Sequence, residues 1–245
     1  MNQLQYGLNK TWEENKDCKN YLNLRSISTK TIKEFRIGYS YNSKQNLYNH
    51  LKSHSFDDKD ILKSNLVKID QNNNYKDFFY KRIIFPISNE FGKVVGFGGR
   101  VINNSNPKYI NSPESDFFKK RYMLYNLDKA KKNIRMKNNM LVCEGYMDVI
   151  SLFEKNIKTA VAPLGTAFTE EQLNLCWKYV NKPTIMFDSD TSGIRAAYKS
   201  ALMSLPFISP NKFIQFINLP KGYDPDSFIN EFSINEFASL LKEPT

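Results

Sequence analysis

The chain has 245 residues, of which 41% are hydrophobic, and a formal net charge of +10 at pH 7. That length is enough for one or two domains with a sizeable core. Three cysteines, Cys18, Cys143 and Cys176, are too few and too dispersed for a disulfide framework or a cysteine-bound zinc ion. We therefore expect a cytoplasmic protein without a signal peptide or membrane span.

The first half of the chain is basic and mixes helices with strands. Residues 1–138 carry 26 Lys and Arg against 13 Asp and Glu. Helices are predicted near 47–52 and 57–64, and a β-hairpin at 83–87 and 94–101. Basic and aromatic residues alternate over 75–82 and 117–122, which suits single-stranded nucleic acid but also a plain solvated surface. We predict a mixed α+β basic lobe over residues 1–138.

The second half alternates apolar runs with helical segments. Four runs too short for typical helices predict buried strands at 140–143, 159–162, 184–187 and 213–217. Helices are predicted at 149–155, from a capping box formed by Thr169 and Gln172, at 196–205, and from Asp224 and Pro225. This alternation predicts an α/β lobe over residues 139–245 with a mainly parallel sheet.

Three pairs of carboxylates follow three of these strands. The pairs are Glu144 with Asp148, Asp188 with Asp190, and Asp224 with Asp226. Ligands of open parallel sheets bind at the carboxyl ends of the strands, and like charges gather there only with a counter-charge. Oxygen ligands of this kind favour Mg²⁺ or Mn²⁺ over zinc. Each pair alone is also typical of turns and helix caps.

The sequence closely resembles bacterial replicative primases of the DnaG type. The blocks that carry the resemblance in the second half are 144–149 (EGYMDV), 164–166 (LGT), 188–190 (DSD) and 224–226 (DPD). The upstream blocks are 21–39, 82–87 (RIIFPI), 96–101 (GFGGRV) and 107–114 (PKYINSPE). The acidic blocks are shared with other Toprim proteins, whereas the upstream blocks are specific to primases.

The resemblance implies a Toprim-type, Rossmann-like second lobe and a DNA-dependent RNA polymerase that makes short primers with release of pyrophosphate. It implies catalytic roles for Glu144, Asp188 and Asp190, and a metal site for Mg²⁺ or Mn²⁺ that Asp148, Asp224 and Asp226 complete. Glu144 is either a ligand or a general base. The residues expected to hold template or nucleotide are Arg82, Arg100, Lys108, Asn111 and Lys120.

The expected partners are single-stranded DNA, ribonucleoside triphosphates and the RNA primer, with a monomer acting at the replication fork of the nucleoid. The resemblance further implies an RNA-polymerase core without the zinc-binding domain and without the C-terminal domain that binds the replicative helicase. Two alternatives stay open: another Toprim enzyme that cuts phosphodiesters, such as a nuclease or topoisomerase, and a non-catalytic DNA-binding module.

Overall fold

The computed structural model describes residues 12–40, 46–103, 105–165 and 167–242. Thr166, the last residue of the 164–166 block, lies outside them. The chain divides into two compact units. The first unit comprises Met1–Leu24, Ile32–Ile87 and Val94–Phe118, and the second comprises Arg25–Thr31, Ser88–Lys93 and Lys119–Thr245. Among the described residues, no helix has the length and apolar character needed to cross a membrane.

The first unit is built on an antiparallel sheet in the strand order β1-β4-β5-β6. Gly38 pairs with Ile84 and Arg100 pairs with Tyr109. A separate hairpin joins β2 to β3. The strands are β1 (Gly38–Tyr39), β2 (Val67–Ile69), β3 (Tyr75–Asp77), β4 (Arg82–Ser88), β5 (Val94–Val101) and β6 (Tyr109–Asn111).

Four helices belong to the first half of the chain, and two of them share the core of this sheet. They are α1 (Lys16–Leu24), α2 (Thr29–Phe35), α3 (Asn46–Ser53) and α4 (Asp58–Lys63). Apolar side chains of α3 and α4, such as Leu51 and Ile61, pack in one cluster with Ile84 and Phe97 of the central strands. The predicted helices near 47–52 and 57–64 and the predicted hairpin are therefore confirmed in position.

The second unit holds a parallel sheet in the order β10-β9-β7-β8. Leu141 of the central strand lies beside Ala160 on one side and Thr184 on the other, and Gln215 pairs with Thr184 at the edge. The strands are β7 (Leu141–Val142), β8 (Ala160–Val161), β9 (Thr184–Ile185) and β10 (Gln215–Phe216). The predicted mainly parallel α/β sheet is confirmed.

Helices alternate with these strands. They are α5 (Leu127–Lys137), α6 (Tyr146–Glu154), α7 (Glu170–Cys176), α8 (Thr191–Ser204), α9 (Pro225–Glu231) and α10 (Ile234–Leu240), with 3₁₀ turns at Lys120–Tyr122 and Leu205–Phe207. The predicted caps of α7 and α9 are present: Thr169 and Gln172 form a capping box, and Asp224 caps a helix that opens on Pro225. The loops that lead from β7 to α6 and from β9 to α8 have three and five residues, whereas those that lead to α7 and α9 have eight.

Candidate functional site

The carboxylates follow strands β7, β9 and β10 of the second unit. Glu144 comes two residues after β7, and Asp188 comes three after β9. Asp224 lies further along, at the cap of α9. Parallel strands bring their carboxyl ends to one edge of the sheet, and the short loops after β7 and β9 keep Glu144 and Asp188 near that edge. In the structure these carboxylates lie in the segments that follow the strands, as the sequence predicted.

Each of four carboxylates uses one oxygen to hold a backbone N–H. The Asp188 amide donates to Glu144 Oε1 at 3.1 Å, and the Gly145 amide donates to Asp148 Oδ2 at 2.9 Å. Asp190 Oδ1 accepts from Gly193 N at 2.8 Å, and Asp224 Oδ1 accepts from Ser227 N at 2.6 Å. The bonds of Asp148, Asp190 and Asp224 fix these carboxylates at helix N-termini, where negative charge is favourable, and that of Glu144 fixes it to the loop after β9. In each of the four, the second oxygen is left for a ligand.

The carboxylates also lie close enough to repel one another. Burial raises the pKa of Asp148 well above its usual value, and the charges of Asp188, Asp224 and Glu144 raise it further. Burial likewise raises the pKa of Glu144, and the charges of Asp190 and Asp224 add to that rise. Mutual repulsion of this kind has a cost that a bound cation removes.

Gly193, in the first turn of α8, lies directly against Glu144 and Asp188 of the acidic cluster. A Cβ placed on it would lie 2.2 Å from the Asp188 carbonyl oxygen and 2.6 Å from Glu144 Oε1. Real Cβ atoms do not approach other heavy atoms this closely. The absence of a side chain at position 193 therefore lets helix α8 press against the two carboxylate-bearing loops.

Asp226 contacts a different set of residues from those that hold the other carboxylates. It is only 3% exposed and forms an ion pair with Arg25. Ser151 Oγ and Asn230 Nδ2 also donate to its Oδ1. The Arg25 guanidinium and the two hydrogen-bond donors thus satisfy the charge of Asp226 within the protein. A role for Asp226 as a metal ligand stays a prediction, and these contacts do not favour it.

The donor set suits a hard divalent cation. The five carboxylates Glu144, Asp148, Asp188, Asp190 and Asp224 offer oxygen ligands of the type that Mg²⁺ and Mn²⁺ prefer. Within the described residues, no three His, Cys, Asp or Glu side chains already converge closely enough to hold a metal ion. The residue types and their mutual repulsion fit the ion, and binding would have to draw the carboxylate oxygens together.

Two of the predicted basic residues are buried inside the first unit. Arg82 is 8% exposed, and its Nη1 donates to the carbonyl oxygens of Gly99, Pro107 and Lys108 at 3.4, 3.0 and 3.2 Å. Burial lowers the pKa of Arg82. This guanidinium braces the β5–β6 connection, and a direct contact with phosphate stays a prediction.

Arg100 is sandwiched between two aromatic rings. Its guanidinium carbon lies 4.3 Å from the ring centre of Tyr21 and 5.4 Å from that of Tyr109. In the described chain, its Nε and Nη1 atoms are buried and have no hydrogen-bond partner. The stacking holds the guanidinium plane in place.

The remaining predicted binding residues lie nearer the surface. Lys108 is exposed and Asn111 is half-buried at the end of β6, both in the first unit. Lys120 is half-buried in the 3₁₀ turn of the second unit, the unit that also carries all six carboxylates. Of the predicted basic residues, Lys120 alone therefore shares a compact unit with the acidic cluster.

Sequence reasoning missed Arg25 and Ser151 as partners of Asp226. Arg25 is 201 positions away from Asp226, so no spacing pattern could have joined them. The signal for Ser151 was equally weak, because a serine inside a helix is common. For Gly193, by contrast, a glycine in the first turn of an apolar-faced helix was a usable sign of close packing.

Comparison with known proteins agrees with this architecture. The family model described as the DNA primase catalytic core, N-terminal domain, matches residues 5–131, and a Toprim-like model matches residues 141–229. The DNA primase of Rickettsia felis is 39% identical over 223 residues, which cover 91% of this chain and 37% of that protein. The chain thus spans well under half the length of the curated relatives it matches.

Solved structures are similar over nearly the whole chain. The Aquifex aeolicus primase, comprising zinc-binding and RNA polymerase domains, superposes with a TM-score of 0.90 at 33% identity, covering 100% of this chain and 60% of that one. The Escherichia coli primase catalytic core gives a TM-score of 0.90 at 30% identity, covering 99% and 78%. A structure of the DnaG primase catalytic domain bound to ssDNA gives 0.90 at 31%, covering 100% and 77%. With an antiparallel unit, a parallel acidic unit and these matches, the chain belongs to the DnaG-type family of DNA primase catalytic cores.

Proposed function

We propose that this chain synthesises short RNA primers on single-stranded DNA by metal-dependent nucleotidyl transfer. The 3′ hydroxyl oxygen of one ribonucleotide attacks the α-phosphorus of a second ribonucleoside triphosphate. The new phosphodiester bond forms as the bond from the α-phosphorus to the bridging oxygen breaks, and pyrophosphate leaves. Template and ribonucleoside triphosphates are the partners, and cationic side chains of the first unit bind the template.

The observation that carries this proposal is the set of five mutually repelling carboxylates at the strand ends of the second unit. Each carboxylate of Glu144, Asp148, Asp190 and Asp224 has one oxygen held by the backbone and one left over. A cluster that only capped helices would have no reason to gather charges that raise the pKa of Glu144 and Asp148. Such a set is suited to a divalent ion that binds phosphate.

Bound Mg²⁺ or Mn²⁺ would neutralise the triphosphate and lower the pKa of the attacking hydroxyl. Asp188 and Asp190 are the ligands that we assign first, with Asp148 and Asp224 completing the set. Glu144 takes the hydroxyl proton in our proposal, because burial raises its pKa toward the range of an effective general base. Lys120 holds a phosphate of the incoming nucleotide, since it lies in the same unit.

Template binding is assigned to the first unit. Arg100 offers a guanidinium held between two tyrosines, and Lys108 offers an exposed ammonium. Cations of this kind bind the phosphate backbone without regard to sequence. A relative solved as the DnaG primase catalytic domain bound to ssDNA supports single-stranded DNA as the partner.

The test is ribonucleotide incorporation on a single-stranded DNA template at high enzyme concentration, with Mg²⁺ or Mn²⁺. We expect short RNA products with the parent chain and none with Asp188→Ala or with EDTA. Asp57→Ala is the matched control, because Asp57 also caps a helix but lies in the first unit. Degradation of the template instead of RNA synthesis would favour a nuclease, and DNA binding without any metal-dependent product would favour a non-catalytic module.

A further inference from the structure

Three consecutive cations, Lys119, Lys120 and Arg121, open the longest segment of the second unit, Lys119–Thr245. Lys120 and Arg121 belong to a 3₁₀ turn of three residues, and Lys119 caps it without a side-chain hydrogen bond. Turns this short have poor hydrogen-bond geometry and little stability of their own. Something outside the turn must therefore fix the direction in which its side chains project.

The first turn of helix α7 supplies that support. Gln172 Nε2 donates to the carbonyl oxygen of Lys120 at 3.0 Å and to that of Met123 at 2.9 Å. Thr169 Oγ1 donates to the carbonyl oxygen of Arg121 at 2.8 Å. Three backbone carbonyls of residues 120–123 are thus held by two side chains at the start of a helix about 50 residues further along the chain.

The same two side chains also cap α7. The Thr169 amide donates to Gln172 Oε1 at 3.0 Å, and the Gln172 amide donates to Thr169 Oγ1 at 3.2 Å. Gln172 is fully buried, so every polar atom of its amide works inside this contact. A capping box requires only the two bonds between Thr169 and Gln172. The bonds to the carbonyls go beyond what capping requires.

The neighbouring cation is restrained in another way. Arg121 forms an ion pair with Glu171, which also lies in the first turn of α7. Its charge is therefore partly neutralised. Lys120 receives the backbone bond from Gln172 at its own carbonyl oxygen. A lysine side chain rotates about four bonds, so the position of its backbone sets the region that the ammonium group can reach.

We propose that Thr169 and Gln172 are positioning residues that aim Lys120 at a phosphate group of the incoming ribonucleoside triphosphate. The proposal rests on the function proposed above in one respect, namely that Lys120 binds that nucleotide. Neither residue touches the substrate. Both act by holding the turn, and the loss of either one costs nucleotide affinity.

The most informative pair of variants is Thr169→Val and Thr169→Ser. Valine keeps the shape of threonine but removes the hydroxyl, whereas serine retains it. We expect Thr169→Val to raise the KM for ribonucleoside triphosphate about five- to tenfold with a smaller change in kcat, and Thr169→Ser to stay within about twofold of the parent; such factors correspond to roughly one hydrogen bond. Gln172→Leu should have the same effect or a larger one.

Loss of a helix cap must be separated from loss of positioning. Ser233→Ala is the matched control, because Ser233 and Glu236 form an equivalent capping box on α10 that does not involve Lys120. Both Thr169→Val and Ser233→Ala should lower stability by about 1 kcal/mol in denaturant unfolding. Only Thr169→Val should raise the KM.

A double-mutant cycle with Lys120→Ala decides the question. If Thr169 acts through Lys120, Thr169→Val weakens nucleotide binding in the parent but adds nothing in the Lys120→Ala background. Full additivity, or an unchanged KM in Thr169→Val, overturns the proposal. Affinity for a fluorescent ribonucleoside triphosphate with Mg²⁺ is measured on the same proteins, and an unchanged affinity in Lys120→Ala also overturns it. Absence of RNA synthesis in the parent chain would refute the proposed function alone, because the affinity cycle still decides the positioning role.

Discussion

Gly193→Ala is the perturbation that probes the packing of the acidic cluster most sharply. In an ordinary helix, alanine is favoured over glycine by roughly 0.5–1 kcal/mol. Here the new Cβ would lie 2.2 Å from the Asp188 carbonyl oxygen, 2.6 Å from Glu144 Oε1 and 2.8 Å from the Asp188 carbonyl carbon. Two of these three atoms belong to the backbone and cannot rotate away. Overpacking of this kind costs about 1–3 kcal/mol, so we expect it to outweigh the gain in helix propensity.

The net result should be a destabilisation of about 1–2 kcal/mol, measured by denaturant unfolding, together with loss of metal-dependent RNA synthesis as Glu144 is displaced. Ser192→Ala is the control, since it raises helix propensity at the exposed neighbouring position of α8. That variant should be at least as stable as the parent and equally active. A Gly193→Ala protein with parental stability and activity would refute the close approach of α8 to these two carboxylates.

Three further predictions concern single side chains. Burial and neighbouring charges raise the pKa of Asp148 above its unfolded value of 3.8, so the stability that its protonated form contributes is complete below that pH and is lost as pH rises through the folded pKa. Asp148→Asn should therefore stabilise the metal-free protein at pH 8 by about 1 kcal/mol and flatten the pH dependence of its unfolding. Equal stability of the parent at both ends of the pH range would contradict this. Asp190→Asn should keep the cap of α8 and the parental stability but lose metal-dependent activity, whereas Asp190→Ala should also lose about 1 kcal/mol; an active Asp190→Asn protein would argue against a ligand role. Arg82→Met should lower the free energy of unfolding by about 2 kcal/mol, because three carbonyl oxygens lose their donor, and unchanged stability with weakened DNA binding would instead indicate direct phosphate contact.

Local sequence patterns were enough to predict the sheet of the second unit but placed two helix starts too late. The helix predicted at 149–155 begins at Tyr146, and the one predicted at 196–205 begins at Thr191. In both cases an aspartate that we predicted as a metal ligand also accepts a hydrogen bond from a backbone amide at the helix start. Asp148 accepts from the Gly145 amide, and Asp190 accepts from the Gly193 amide. Apolar periodicity marks the buried face of a helix and gives little information about its polar first turn.

Contacts between distant residues were beyond prediction from the sequence. Asp226 looked equivalent to Asp224, because both flank a proline at a helix start. In the structure, Asp224 caps α9 while Asp226 is buried against Arg25. Arg82 likewise looked like a phosphate ligand, yet its partners are backbone carbonyls, which leave no mark on the sequence. Residue type and spacing identify candidates for a site, and only the fold decides which candidates have spare hydrogen-bonding capacity.

We propose that Asp190 belongs to a divalent-metal site and that Asp226 does not. Titration of Mn²⁺ into the parent chain, Asp190→Asn and Asp226→Asn, followed by calorimetry or by the Mn²⁺ electron paramagnetic resonance signal, tests this directly. Our account predicts that Mn²⁺ binds the parent, that affinity falls at least tenfold in Asp190→Asn, and that Asp226→Asn retains parental affinity while unfolding more easily; tenfold corresponds to about 1.4 kcal/mol. Equal Mn²⁺ affinity in the parent and Asp190→Asn, or loss of binding in Asp226→Asn alone, would contradict it.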